Sequence, residues 1–467
     1  MLLTTGMLLV SGCLSVPIEQ SHQELEAQAT AAIPGSERLP RRTARDGDPG
    51  SQVQALLADE LTAEAAVRVA LWNNPRIQSH YARLDRAAAE RLAARLLRNP
   101  QVHGAVIFSE EDSSEEVIEL GAEIDLLHLI LLSKRSRIGA ARYEAVKLDV
   151  ARAVQQLAYD TRLACYRLLA AQQRLALRES VLQAADAARD MAQRLRDAGN
   201  IKELDKLNRE ALHEQAALGV SAAALAVEEQ REHLNMLMGL SGADTRWWMA
   251  GELPAPGNNA VLLGEVVDQA LQNSVQLEMT RWQIEAAAQA LGIARAESVI
   301  PTLQVGIDAE REHDGVWLVG PMIAVELPLF DFGQARRPAA EAALKRLHHE
   351  YAALAIDIAA TARRAAKRAE VASYRVRRYR ETLLPLREDI TQRTQLQYNA
   401  MQLGVFQLLQ AKQMEIAENS AYIDELLNYW IARTEIEQIR RGLLVDSRAT
   451  VNAPADAPMA GGKGGGH

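Results

Sequence analysis

Aromatic residues are scarce in this sequence, at 4% of 467 residues. A large globular core normally uses more Phe and Tyr. The abundance of alanine points instead to helices packed closely through small side chains. Only two cysteines occur, Cys13 and Cys165, too few for a disulfide scaffold. No run of about 18 apolar residues is present, so no transmembrane helix is expected, and only a closed barrel could cross a bilayer. The formal net charge is −9 and no basic block occurs, which argues against a nucleic-acid partner. Gly-x-Ser-x-Gly, Walker and His-Glu-x-x-His motifs are all missing, so no catalytic residue, cofactor or enzymatic role is indicated. His348-His349 sits in a helical pattern, where neighbours point about 100° apart and chelate one ion poorly. His233, Met236 and Met238 would suit copper, but helix packing explains them more simply. His467 ends a glycine tail. No metal site is expected.

What is present is alternation. Leu303, Val305, Ile307 and Ala309 fall on one face of a strand; Gln304, Gly306, Asp308 and Glu310 fall on the other. Asp314-Gly315 supplies a turn. The return strand puts Trp317, Val319, Ile323, Val325 and Leu327 on one face, and Gly320, Met322, Ala324 and Glu326 on the other. Upstream, Val102, Val106 and Phe108 oppose His103 and Ala105. Next, Ile118, Leu120, Ala122, Ile124 and Leu126 oppose Glu119, Gly121, Glu123 and Asp125. Three carboxylates on one strand face are costly unless that face is wet. A membrane barrel meets this requirement with lipid outside and water inside. A half-buried soluble hairpin meets it too, so the pattern alone leaves both open.

Strands are expected at about 101–109, 117–129, 302–312 and 316–330. A helix is expected from the Thr62 cap to Asn99-Pro100. A second runs unbroken from Ser133 to Ala198, about 95–100 Å of helix, and a third returns to Met238-Gly239. The order then recurs about 200 residues on: Asn73 matches Asn273, Arg95 matches Arg295, Gly121 matches Gly320, Arg137 matches Arg337. The second long helix covers about 334–400, with Pro385 expected to bend it or open a turn, and a last helix covers 404–441. This divides the chain into repeat 1 (61–243), a linker (244–260) pinned by Trp247 and Trp248, repeat 2 (261–442) and a disordered tail (443–467). Four strands cannot close a barrel, but three copies supply twelve.

Residues 1–12 have signal-peptide composition. Val10-Ser11-Gly12-Cys13 resembles the bacterial lipoprotein box, in which the cysteine becomes the acylated first residue. No Lys or Arg precedes the apolar run, as though translation began a few codons upstream. Leu14 rather than aspartate after the cysteine implies outer-membrane sorting by the same resemblance. With Cys13 lipidated no intrachain disulfide can form, leaving Cys165 as a small buried hydrophobe. Residues 13–60, rich in Pro and Gly, read as a tether without packed elements.

This order resembles the TolC family of outer-membrane efflux channels over residues 61–442. The resemblance rests on the repeat spacing, on Glu326-Leu327-Pro328-Leu329-Phe330-Asp331-Phe332-Gly333, and on the closing helix through Tyr422, Trp430 and Gly442. Leu383-Leu384-Pro385 is similar to the heavy-metal-efflux branch. The family implies a mainly α fold with a transmembrane β-barrel: a homotrimer with a twelve-stranded barrel and a long periplasmic helical tunnel. It also implies a periplasmic adaptor, or membrane fusion protein, at the helical tips, and an inner-membrane, proton-driven pump.

By that resemblance the adaptor-contacting tips are Gly199, Asn200, Leu204 and Asp205, and Met401, Leu403 and Gly404. Family members usually carry glycine at both turns; here Met401 stands at the second, three residues before Gly404. Leu127-His128-Leu129-Ile130 in the first repeat lacks the proline of Leu327-Pro328-Leu329-Phe330. Where some members ring the closed entrance with acidic residues, this chain has Gln407 and Gln410, so a periplasmic gate here would rest on hydrogen bonds or packing.

Glu119, Glu123, Asp125, Asp308, Glu310 and Glu326 would line the barrel lumen and favour cations. A generally hydrophilic pore without selectivity is the plainer reading. Glu110 to Glu116 would form an acidic loop at the extracellular mouth. The expected function is a passive exit duct of a tripartite efflux system. The alternative is a lipid-anchored periplasmic coiled-coil or adhesin-like protein with soluble hairpins.

Overall fold

The computed structural model describes residues 16, 18–30, 49–108, 116–257, 263–311 and 314–444. The leader with Cys13, and the acidic loop except Glu116, lie outside these residues. Four strands form one antiparallel sheet in the order β1 (Gln101–Phe108), β2 (Glu116–Asp125), β3 (Leu303–Arg311), β4 (Trp317–Val325). The sheet joins the two halves of the chain, because β2 of the first repeat pairs with β3 of the second.

Two N-terminal helices, α1 (Ile18–Thr30) and α2 (Pro49–Ala58), correct the expectation of a bare tether. Ser21 and Leu25 on α1, and Val53 and Leu57 on α2, are buried at four-residue spacing. Pro49 stands at the start of α2, where its missing N–H costs nothing. α3 (Ala63–Asn73) and α4 (Pro75–Ala93) replace the single helix expected from Thr62. Asn74-Pro75 breaks it, the Asn74 side chain accepting from Arg76 N at 2.8 Å to cap α4. Thr62 caps α3 as expected.

α5 (Leu126–Asp197) is one helix of 72 residues, about 108 Å long. It begins seven residues earlier than the sequence pattern indicated. Leu126 to Ile130 continue the apolar character of β2, but Asp125 accepts from His128 N at 2.8 Å and starts a helix there. α6 (Glu203–Met238) returns along it. Trp247 is buried and donates to Asn235 Oδ1 at 2.7 Å, fixing the linker to α6; Trp248 stays half exposed and does not share that role.

The second half repeats the plan with α7 (Leu263–Gln272), α8 (Val275–Glu297), α9 (Arg336–Arg378), a π-helical turn at Tyr379–Leu383, α10 (Leu384–Asn399) and α11 (Val405–Arg440). The junctions of the two repeats are built alike. Asn73 Nδ2 donates to the carbonyl of Gly239 at 2.8 Å, and Asn273 Nδ2 to that of Arg440 at 2.8 Å. Gly239 and Gly442 end the return helices at φ +68° and +91°, each pressed against the backbone of its asparagine. Leu443 is buried beyond that cap, so the packed chain extends past the expected start of the tail.

The main core lies beside the stretch of α5 from Tyr143 to Leu168, where α1 to α4 and α6 help bury Leu25, Leu71, Leu84, Val154 and Leu168. A smaller core joins α7, α9 and α11 through Ala362, Ala365, Ala369 and Ile436. No helix among the described residues is long and apolar enough to cross a membrane.

Candidate functional site

Register fixes the faces of the sheet. Directly opposed residues of an antiparallel pair share a face. The rows Leu120–Ala309–Val319, Ala122–Ile307–Pro321 and Ile124–Val305–Ile323 therefore make one face, apolar across all three strands. Its side chains stand open, with Ile307 60%, Val319 68% and Ile323 71% exposed. The other face carries Glu119 opposite Glu310, Gly121 opposite Asp308, and Glu123 opposite Gly306.

Five of the six expected acidic positions lie on this polar face, and they differ in how they are held. His103 and Asp308 lie two strands apart with Gly121 between them. They meet across it at 3.4 Å, and any side chain at Gly121 would overlap both. His103 was legible only as a polar-face residue; its partner emerges from register. Glu123 accepts from Gln304 at 3.4 Å. Asp125 is occupied twice, as the cap of α5 and as the partner of Arg98 at 3.0 Å, so it is not a free lining charge. Glu326 lies just past the end of β4, which stops at Val325 rather than running to Phe330. Pro328 has no N–H for a ladder, and Asp331 and Gln334 fold the following turn through bonds to Gly333 N and Phe332 N at 2.9 Å. That turn leaves Leu327, Leu329, Phe330 and Phe332 exposed at the helix-proximal rim of the sheet.

At the opposite end of the long helices lie two hairpin tips of matching geometry. Gly199 N bonds to Arg196 O at 2.9 Å and Asn200 N to Leu195 O at 2.8 Å; Met401 N bonds to Tyr398 O at 2.9 Å and Gln402 N to Gln397 O at 2.9 Å. Met401 thus occupies the place of Gly199 and adopts φ +61°, left-handed for a residue with a side chain. It is 94% exposed, and Leu204 is 65% exposed. Asn200 and Gly404 are exposed, while Asp205 and Leu403 are partly covered. A hydrogen bond from Arg196, at 2.8 Å, holds the Glu203 carboxyl below its ordinary range. Gln407 and Gln410 are exposed on the first turns of α11, at the same end.

Elsewhere, His233 and Met236 do not converge with buried Met238 on a ligand site: Met236 is half exposed, and burial pushes His233 down. Cys165 is fully buried, and burial pushes its thiol up to about 12. Among the described residues no three His, Cys, Asp or Glu side chains are placed to hold a metal ion.

No family model matches the chain. It is 23% identical over 390 residues to the cobalt-zinc-cadmium resistance protein CzcC of Cupriavidus metallidurans, covering 82% of this chain and 90% of that one. A membrane protein from Pseudomonas aeruginosa superimposes with TM-score 0.71 at 17% identity, covering 81% of this chain and 92% of that one. The outer-membrane channel OprN gives 0.69 at 18%, covering 88% and 99%. CusC, whose structures follow folding and transmembrane channel formation, gives 0.67 at 16%, covering 82% and 92%. The chain therefore shares the fold of these outer-membrane channels.

Proposed function

We propose that the chain is the outer-membrane exit duct of a tripartite efflux system, and that it works as a homotrimer. The observation that carries this reading is the sheet: one face apolar and largely exposed, one face polar, and two edges, β1 and β4, that pair with no further strand among the described residues. Open edges attract further strands. Three copies joined β4 to β1 close twelve strands, turning the apolar face to lipid and the row of Glu119, Glu123, Asp308 and Glu310 to a water-filled lumen. Helices of about 100 Å below such a barrel form a conduit across the periplasm.

The tips that end these helices are the docking points for a periplasmic adaptor, with Met401 and Leu204 as its exposed apolar contacts. The pump that supplies the energy lies in the inner membrane. Cobalt, zinc and cadmium in the name of the CzcC relative make divalent metal cations the cargo class we favour, and an acidic lumen suits them.

The lipid anchor fits the placement of α1. Its first turn, at Gln20 and Ser21, lines a small cavity together with Arg91 and Leu92 at the sheet-proximal end of α4 and Arg95 just beyond it. Cys13 precedes Ile18 by five residues, so the chain between them spans at most about 18 Å.

Planar-bilayer conductance of the purified protein tests the duct. Discrete channels with a preference for cations are expected. Membrane-bound protein that never conducts would favour a lipid-anchored structural protein instead.

A further inference from the structure

We infer that His103 and Asp308 form a transit site for divalent transition-metal cations such as zinc on the polar wall of the sheet, and that the opposed Glu119 and Glu310 are the next station along that wall. The inference rests on the duct proposed above and names where its cargo is held.

The row that carries the site reads His103, Gly121, Asp308, Gly320 across the four strands. Side chain and glycine alternate, so each ligand has a bare neighbour. A Cβ at Gly121 would come within 2.3 Å of both His103 Nε2 and Asp308 Oδ1, whereas nothing lies within 4 Å of one at Gly320. The two ligand atoms stand 3.4 Å apart. A charge-assisted N–H···O bond would draw them to about 2.7–2.9 Å. None joins them: Asp308 Oδ1 is shielded from solvent and accepts no hydrogen bond among the described residues. Two ligands of a tetrahedral zinc ion, each at about 2.0–2.2 Å, are separated by about 3.4 Å. Adjacent octahedral ligands of magnesium, at about 2.0–2.1 Å, would be only about 2.9 Å apart. Imidazole beside carboxylate is also the donor set that suits zinc better than magnesium.

Both side chains are about half exposed, which leaves the other two positions of the ion to water. Two protein ligands hold an ion less tightly than the three or four of a resident metal centre, and conduction needs binding weak enough to release. The next row toward the strand-connecting loops adds charge. Glu119 and Glu310 stand directly opposite each other, an unfavourable pairing for two carboxylates. Both are exposed, and neither has an ion-pair partner among the described residues. They lie two residues from Gly121 and Asp308 along their strands, a step of about 6.7 Å. A cation between them relieves their repulsion, so the two rows are consecutive stations on one wall.

The test measures block of potassium current by zinc chloride in planar bilayers holding the purified full-length protein, each variant scaled to its own zinc-free current. Zinc should block the wild-type channel, and His103→Gln and Asp308→Asn should each raise the half-blocking concentration about tenfold or more. Gly121→Ala keeps both ligands but forces them apart, and should weaken the block as much. Magnesium chloride should not distinguish His103→Gln from wild type, whereas Glu310→Gln, acting through charge alone, should weaken block by both ions. A conducting wild-type channel that zinc does not block overturns the site but leaves the duct intact. So does a conducting His103→Gln channel blocked at the wild-type zinc concentration, or one that loses zinc and magnesium block equally. If His103→Gln forms no channels, Asp308→Asn and Gly121→Ala decide by the same zinc criterion. Wild-type protein that never conducts overturns the duct, and the site with it.

Discussion

Replacing Ile307 by arginine should separate a membrane barrel from a soluble hairpin by a wide margin. Ile307 is the fifth of nine residues in β3, in the row Ala122–Ile307–Pro321 of the apolar face, and is 60% exposed. Nine residues at about 3.3 Å, tilted by about 40°, rise roughly 23 Å, close to the height of the apolar band, so Ile307 sits near the bilayer midplane. An arginine there costs about 2–4 kcal/mol per chain and about 6–12 kcal/mol per trimer. The neighbouring change Asp308→Asn alters the other face. Its contact with His103 is about half exposed on both sides, so the loss is about 0–1 kcal/mol. Urea unfolding of protein folded into vesicles, with heat resistance of the trimer on semi-native gels, reads both variants. Val305→Arg, two residues nearer the helical end, should fall between them because the cost declines with depth. If Ile307→Arg unfolds at the same urea concentration as Asp308→Asn, the apolar face does not meet lipid and the barrel is refuted.

At the second tip, Met401→Gly should relieve the left-handed backbone and slow local hydrogen exchange, a gain of about 0.5–1 kcal/mol. The same change should weaken adaptor capture if the exposed methionine is a contact, so stability and binding move in opposite directions. Asp160, between α5 and α6, is pushed above the usual carboxylate range by burial, with Gln156 opposing at 2.9 Å. A raised pKa means its contribution to stability is full below about pH 3.9 and is lost as pH rises through the folded value. Asp160→Asn should therefore melt higher than wild type at pH 7, with the gap closing as the pH falls toward 4.

The duplicated order, the long helices and the two faces of every strand were legible because period-2 and period-3.6 patterns register which side of an element is buried or wet. Element ends were less so. Leu126 to Ile130 are as apolar as the strand before them, and only the bonds of Asp125 to His128 and Arg98 decide that the chain turns helical. α1 and α2 were hidden because Pro17, Pro34, Gly35, Pro40 and Gly47 crowd the sequence around them, Pro49 and Gly50 open α2 itself, and the buried residues number only a few. The His103–Asp308 pair was beyond reach for another reason: it spans two strands across a glycine, and strand register is a tertiary fact.

The π-helical turn at Tyr379–Leu383 has a consequence for length. Between Arg137 and Gly199 the first hairpin spends 62 residues; between Arg337 and Met401 the second spends 64. In a regular helix two extra residues would push one tip about 3 Å below the other. A turn that closes over five residues instead of four winds wider and rises less per residue, so the surplus is coiled rather than extended. Leu409 and Lys412 consequently stand beside Ala188 and Arg209, at nearly the same distance from their respective tips. In the homotrimer proposed above, the six tips would lie near one plane, a flat rim built from hairpins of unequal length.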